Sequence, residues 1–202
     1  MRVAILTPTR GFPRWKHVMC RDALLIHTLT EKVTYNGALT VPAIITIGAE
    51  GALVDLNRNN LVEDALRFRP DYVLFVDDDM MFPRDGLFRL MMHDKPVAGC
   101  NYRQRVVDHV IPSAFNIIDG QVARLEPKPD GLEQADVIGM GFCLMKGEVF
   151  RQLTRPWFGV GPYGEDGYFC EKLRAVGIRP YIDHALSMEC WHIAETVLTF
   201  PR

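Results

Sequence analysis

The sequence of 202 residues contains no long apolar run, no Cys-x-x-Cys pair, no internal repeat and no marked excess of charge of one sign. No stretch approaches the roughly 18 apolar residues that a membrane-spanning helix requires. The apolar segment 3–6 is too short for a secretory signal. With 23 basic and 25 acidic residues, the composition gives no basic footprint for nucleic acid. These absences predict a soluble, cytoplasmic globular protein without a membrane span.

The five cysteines are an odd number, widely spaced and mostly set among apolar neighbours. This pattern is typical of buried reduced thiols rather than of a disulfide framework or a zinc site. Reduced thiols agree with the expected cytoplasmic location.

Over the first hundred residues, apolar runs typical of strands alternate with helical patterns. The predicted strands are 3–8, 41–47, 72–76 and 96–100, and the predicted helices are 15–29, 55–68 and a short one from Asp85. Such alternation favours an α/β fold with a mostly parallel sheet covered on both faces.

The pattern changes after residue 100. Shorter strands at 113–126 and 136–146 predict a smaller antiparallel element, and a helix at 165–176 and a strand at 178–183 follow. Segments 100–112 and 155–164 are the predicted mobile loops. At this length the whole chain, 1–202, is expected to form a single domain.

Three aspartates, Asp77 to Asp79, follow the most apolar predicted strand, YVLFV at 72–76. Ligands bind beyond the carboxyl ends of strands in open parallel sheets. In extended backbone Asp77 and Asp79 would face one site, and two converging carboxylates suit Mg²⁺ or Mn²⁺ with a phosphorylated substrate. The alternative is a solvated turn, and the pattern alone also fits a nuclease, a phosphatase or a nucleotidyl transferase.

A second acidic pair, Glu165 and Asp166, opens the last predicted helix after a glycine-rich loop. Asp166 shares the inward face of that helix, so it is a candidate general base, with an N-terminal helix cap as the alternative. His192 is a candidate metal ligand or a structural histidine, and no spacing recommends the four histidines His17, His27, His93 and His109. Gly139 and Gly141 either admit a substrate to the backbone or relieve packing.

These pieces together resemble the GT-A glycosyltransferases, particularly the family 2-like group, over most of the chain and in the same order. The motifs that carry the resemblance are the Pro8-Thr9 turn, Arg58-Asn59, Asp77-Asp78-Asp79, Gly139 to Phe142, Glu165-Asp166 and the late His192.

The resemblance implies a GT-A, Rossmann-like domain with a nucleotide-sugar-binding half at 1–100 and an acceptor-side half at 101–202. It implies a metal-dependent transfer of a sugar from a nucleotide-diphosphate donor to an acceptor hydroxyl. The implied nucleotide-sugar-binding residues are Thr7, Pro8, Thr9, Arg58, Asp77, Asp78 and Gly141. The implied metal-binding residues are Asp77, Asp79 and His192, and the implied catalytic residues are Asp166, as the base of an inverting transfer, and Glu165.

Two departures limit the resemblance. The acidic residue expected after the second strand has only Glu50 as a candidate, and the Gln-x-x-Arg-Trp signature of processive synthases is missing, which argues against polysaccharide synthesis. Two other classes stay open: a nucleotidyl transferase or phosphohydrolase using the same aspartates, and a catalytically silent nucleotide-sugar-binding module. The sequence does not specify the acceptor or the oligomeric state.

Overall fold

A computed structural model describes residues 1–11, 13–105 and 110–194 of the chain. The strands are β1 Arg2–Thr9, β2 Val33–Tyr35, β3 Ala38–Thr40, β4 Ala43–Glu50, β5 Tyr72–Val76, β6 Met80–Met81, β7 Val97–Gly99, β8 Phe115–Ile118, β9 Gln121–Arg124, β10 Leu132–Gln134, β11 Phe142–Lys146, β12 Tyr181–Asp183 and β13 Trp191–His192. The helices are α1 Trp15–Thr30, α2 Val54–Arg67, α3 Gly86–Met92, α4 Gly147–Gln152, α5 Gly164–Ala175 and α6 His184–Ser187.

A seven-stranded mixed sheet in the order β10-β12-β7-β11-β5-β1-β4 organises the molecule. Strand β1 pairs in parallel with β4 and β5, and β7 pairs in parallel with β12. Strand β11 lies antiparallel between β5 and β7, and β10 is antiparallel to β12. The fold is therefore α/β with a mostly parallel sheet, as predicted, and strands from both halves of the chain belong to that one sheet.

The sheet separates two apolar layers because successive side chains of a strand point to opposite faces. Strand β5 is buried along its whole length. Its Val73 and Phe75 pack with residues of α2 and α5, whereas Leu74 and Val76 pack with residues of α1 and α3. Helices thus cover both faces, which explains why YVLFV is apolar without alternation.

The predicted elements of the first half are present with shifts of a few residues, and the second half differs more. The stretch 113–126 forms the antiparallel hairpin β8–β9, whereas in 136–146 only β11 is a strand. The elements that the pattern did not predict are short: β2, β3, β6, β10, β13, α4 and α6. Residues 106–109 of the predicted loop 100–112 lie outside the described residues.

Asn59 of α2 binds the segment before α5, at Trp157 and Phe158, to the first half of the chain through hydrogen bonds. Its side-chain Oδ1 accepts hydrogen bonds from the backbone N–H groups of Trp157 and Phe158 at 2.9 and 3.2 Å, and its Nδ2 donates to the Phe158 carbonyl at 2.7 Å. The buried side-chain amide of Asn59 thus takes part in three hydrogen bonds, which hold this loop in a fixed place. The loop leads into α5, which carries the second acidic pair.

Candidate functional site

Four strands bring polar residues to one edge of the sheet. Parallel strands β1, β4 and β5 end there, so Thr9 and Glu50 are register partners and Asp77 follows β5 on the same edge. The antiparallel β11 begins at this edge, where the Gly141 carbonyl accepts a hydrogen bond from the Asp77 N–H at 3.0 Å. This is the edge at which ligands bind in open α/β sheets.

The three aspartates point to three different sets of partners. Asp77 contacts Arg58, Asp78 accepts a hydrogen bond from the Thr9 hydroxyl at 2.5 Å, and Asp79 contacts Arg105. The alternation expected of an extended strand does not apply to these residues, because the strand ends at Val76. A turn follows, closed by a 3.1 Å hydrogen bond from the Met80 N–H to the Asp77 carbonyl. The solvated-turn alternative does not fit either, since Asp79 is buried.

Arg58 joins the two acidic motifs. Its Nη2 lies 3.0 Å and 3.2 Å from the two carboxylate oxygens of Asp77, and its Nε lies 3.7 Å from Glu165 and 3.8 Å from Asp166. The guanidinium is only 1% exposed and lies over the rings of Phe75 and Phe158. Burial alone would lower the pKa of Arg58, but the surrounding carboxylates outweigh burial and raise it, so this side chain is always charged.

Arg58 is therefore enclosed among carboxylates and aromatic rings. The resemblance places Arg58 near the nucleotide, whereas in the structure its side chain is buried and its charge interacts with three carboxylates. Asn59, next to it, fixes the loop before α5. The Arg-Asn pair thus assembles both acidic motifs around a single turn of α2.

Asp166 has the environment of a general base. Burial raises its pKa to about 7, the Arg58 charge lowers it, Glu165 and Asp77 raise it, and a hydrogen bond from the Met140 N–H lowers it. That bond, of 3.2 Å, goes to Oδ2, while Oδ1 is enclosed without a hydrogen-bond partner. A base works best when its pKa lies near the working pH. The capping alternative is not seen, because the N-cap residue of α5 is Tyr163 and Asp166 accepts its hydrogen bond from Met140, outside the helix.

Asp79 lies among basic side chains from three parts of the chain. Its Oδ2 is 2.6 Å from Arg105 Nη1 and 3.4 Å from Arg14 Nη1, and its Oδ1 is 3.9 Å from His192 Nε2. The pairing of β13 with β6 brings His192 to this position, opposite Met80. Asp79 and His192, more than a hundred residues apart in the sequence, are therefore neighbours, as the predicted metal site requires.

His192 is held with its Nε2 towards Asp79. Its Nδ1 lies 2.7 Å from the Arg103 carbonyl oxygen. A carbonyl only accepts hydrogen bonds, so Nδ1 carries the proton, and in the neutral ring Nε2 keeps its lone pair. Metal-binding histidines commonly have this arrangement, in which a carbonyl fixes the tautomer and the other nitrogen binds the ion.

The donor set fits a hard divalent cation, although its oxygens are now engaged by guanidinium groups. Carboxylate oxygens and one imidazole suit Mn²⁺ or Mg²⁺, and Asp77 Oδ1 is a buried oxygen whose 3.0 Å contact with Arg58 Nη2 lacks hydrogen-bond geometry. Within residues 1–11, 13–105 and 110–194, no three acidic, histidine or cysteine side chains already form a metal-binding group. A cation bound at Asp79 would replace the contacts of Arg14 and Arg105 with that carboxylate.

Tyr102 explains the two glycines of the Gly-x-Gly-Phe strand. Its hydroxyl accepts a hydrogen bond from the Gly141 N–H at 2.9 Å, and its ring lies against both Gly139 and Gly141. A Cβ at Gly141 would lie 2.7 Å from the tyrosine oxygen. Of the two alternatives for these glycines, the structure supports packing. Gly141 is buried, and both of its backbone groups are hydrogen-bonded, the N–H to Tyr102 and the carbonyl to the Asp77 N–H.

Gly141→Ala is accordingly expected to destabilise the protein by about 1–3 kcal/mol, because the new methyl group overlaps a buried ring. Urea unfolding of the variant would measure the change. Gly11→Ala is the matched control, since a Cβ at Gly11 meets nothing within 4 Å and should leave the free energy of unfolding nearly unchanged. Equal stability of the two variants would contradict the packing explanation.

Sequence reasoning missed three residues of the site. Arg14 precedes α1, Arg105 follows the isolated bridge at Arg103, and Tyr102 lies between β7 and β8. Each belongs to a loop without periodicity, and only the tertiary fold brings it to the aspartates. The one available signal was position: Arg14 closely follows the Pro-Thr turn that ends β1.

Comparisons with known proteins establish the fold alone. No protein-family model matches the chain, and no curated protein matches it. Among solved structures the chain is similar to the crystal structure of A197 from STIV, with a TM-score of 0.61 and 16% identity, over 100% of this chain and 99% of that one. The two proteins therefore share an overall α/β architecture. In the part of the chain that the structure describes, no helix is long and apolar enough to cross a membrane.

Proposed function

We propose that this protein is a metal-dependent glycosyltransferase of the GT-A kind that uses a nucleotide-diphosphate sugar. The observation that carries the proposal is the meeting of two acidic motifs around Arg58: Asp77 follows β5, Glu165 and Asp166 open α5, and one buried guanidinium contacts all three. A donor site and a base for the acceptor would then lie side by side at the carboxyl edge of the sheet.

Asp166 would act as the base. The acceptor hydroxyl oxygen attacks C1 of the donor sugar, the bond from C1 to the diphosphate oxygen breaks, and the hydroxyl proton moves to the Asp166 carboxylate. Its pKa of about 7 supports this role, because the group is partly ionised near neutral pH yet basic enough to take the proton. Attack on the face opposite the leaving group gives inversion at C1.

The diphosphate that leaves carries negative charge, and the basic residues around Asp79 are placed to meet it. Arg14 and Arg105 both reach Asp79, and a guanidinium group can donate two parallel hydrogen bonds to a phosphoryl group. Mn²⁺ or Mg²⁺ held by Asp77, Asp79 and His192 would supply further stabilisation of that charge. Thr9 and Asp78, hydrogen-bonded to each other, would line the nucleotide side together with Thr7 and Pro8.

The balance of charge supports a divalent cation. Among the described residues whose ion pairs and hydrogen bonds meet here, the carboxylates of Asp77, Asp78, Asp79, Glu165 and Asp166 outnumber the guanidinium groups of Arg14, Arg58 and Arg105. An excess of ionised carboxylates favours a bound cation.

Asp79→Ala tests the donor site. Calorimetric titration of UDP, GDP, CDP and dTDP with Mn²⁺ should identify one preferred diphosphate. The variant should bind it about a hundredfold more weakly, because a cation clamp is worth several kcal/mol and each 1.4 kcal/mol is tenfold. Excess EDTA should weaken binding to the unaltered protein in the same way. Asp64→Ala, which removes an exposed carboxylate of α2, is the control and should bind normally.

Turnover assays with the preferred donor, beside these titrations, separate the remaining classes. A nucleotidyl transferase or phosphohydrolase would turn over the phosphate of the donor without an acceptor and without needing Asp166. A silent binding module would bind the diphosphate and transfer no sugar with any acceptor. If none of the four diphosphates binds with or without metal, the glycosyltransferase proposal is overturned.

A further inference from the structure

Helix α1 has apolar side chains on two opposite faces. Leu24 and its neighbours on one face are buried against the protein. Four large apolar residues on the other face are exposed: Trp15 at 67%, Met19 at 62%, Ile26 at 65% and Leu29 at 54%. At 3.6 residues per turn these four fall within an arc of about 80°, along roughly 21 Å of helix. We call them the outer stripe.

Basic residues flank the outer stripe. Counted around the helix axis, Lys16 lies on one side of it, and Arg14 and Arg21 lie on the other. Arg14 also contacts Asp79, and Arg21 pairs with Asp22, which lies within the stripe, at 2.9 Å. The segment 10–32 contains five basic and two acidic residues, although the whole chain has a net charge of −2. This segment therefore combines an exposed apolar face with a net positive charge.

We propose that the outer stripe of α1 binds an anionic lipid surface, with the helix lying in the plane of the surface. An exposed apolar face with tryptophan, flanked by lysine and arginine, is the pattern of helices that lie at membrane interfaces. Basic side chains beside it add attraction to acidic headgroups. A second copy of the chain is disfavoured as the occupant, because a two-fold contact would bring two positively charged segments together.

The position of α1 relates this surface to the candidate site. Arg14, the residue just before the helix, contacts Asp79, so the basic end of α1 lies at the rim of the carboxyl edge. Strand β6, which follows the aspartates, packs against α1 and pairs with β13, where Trp191 is also exposed. If the proposed function holds, an acceptor presented at the lipid surface would lie close to the site; the lipid binding itself does not depend on that function.

Vesicle co-sedimentation tests the proposal directly with the full-length chain. The protein should sediment with vesicles of equal parts phosphatidylcholine and phosphatidylglycerol, sediment less in high salt, and stay in solution with phosphatidylcholine alone. The double variant Trp15→Ser/Met19→Ser should bind the anionic vesicles about tenfold more weakly or worse, because two large apolar contacts are lost. Leu39→Ser is the matched control, since Leu39 is 72% exposed outside α1 and should bind as before.

Each outcome has a definite meaning. The proposal is overturned if the unaltered chain ignores anionic vesicles, or if the double variant binds them as well as the control does. Sedimentation velocity distinguishes the other occupant: a dimer that the double variant abolishes would assign the stripe to a second copy and also overturn the proposal. Diphosphate binding by the double variant should be unchanged, so a failure here is separable from a failure of the proposed function.

Discussion

Arg58→Met is expected to destabilise the protein by about 3–5 kcal/mol, the cost of removing one partner from a buried ionic cluster. Methionine keeps the apolar stem between Phe75 and Phe158, so the loss is mainly that of the charge. Asp77, Glu165 and Asp166 would remain together without their shared cation. Urea unfolding measures the change in the free energy of unfolding.

The pH dependence of that loss identifies its origin. Removing Arg58 takes away the charge that lowers the pKa of Asp166, so protonation of the cluster becomes easier. The variant should therefore be most impaired above pH 7, where the carboxylates are ionised, and partly recover as the pH falls towards 5. Arg67→Met removes an exposed arginine of the same helix and should change stability by less than about 0.5 kcal/mol. A pH-independent loss at Arg58 would contradict the electrostatic explanation.

Asp166→Asn is expected to lower sugar transfer by about a hundredfold to ten-thousandfold, the usual contribution of a positioned general base. The preferred diphosphate should bind the variant with little change, since Asp79 and its basic neighbours are intact. Steady-state kinetics with the donor that calorimetry identifies would measure the transfer rate. The diphosphate titration would measure the affinity. Glu165→Gln is the comparison variant, because Glu165 contacts the same arginine at the start of the same helix.

The same substitution should stabilise the fold at neutral pH, which an ordinary structural aspartate would not do. Because burial raises the folded-state pKa of Asp166 to about 7, from an unfolded value near 4, the unfolded chain releases this proton first as the pH rises. Stability is lost between these values and the loss is complete above pH 7. Asp166→Asn should remove that loss, up to about 4 kcal/mol at pH 8 and close to nothing at pH 4.

A variant that loses transfer and gains stability would identify Asp166 as a strained functional group. A variant with unchanged transfer would instead remove Asp166 from the mechanism. That result, with diphosphate binding retained, would favour the phosphohydrolase or the silent binding module.

The strong apolar patterns of the first half were sufficient to predict its architecture. YVLFV has only one reasonable environment, a strand covered on both faces, and the strand-end rule then places the aspartates correctly. The helices 55–68 and 165–176 were also evident from their periodicity and are present as α2 and α5. Local patterns therefore located both acidic motifs on the correct elements.

What the sequence could not provide is the arrangement between elements. Strand β11 lies antiparallel between β5 and β7, and β13 is only two residues long; neither feature has a local signal. The direction of the Asp79 side chain depends on a turn that the extended-strand assumption missed. The burial of Arg58 depends on Phe158, a hundred residues away, and no spacing rule relates such residues.

The Arg58 cluster also bears on how this fold can change over evolutionary time. A permanently charged guanidinium enclosed between two phenylalanine rings needs carboxylates around it, whatever chemistry takes place above. A descendant that lost its activity would still be selected to keep the arginine with Asp77 and Glu165 for folding, whereas Asp166 could be replaced. The order of loss would be constrained as well, since the arginine can be discarded only together with the acids. If related proteins were classed as active enzymes because they keep these residues, the number of active enzymes would therefore be overstated.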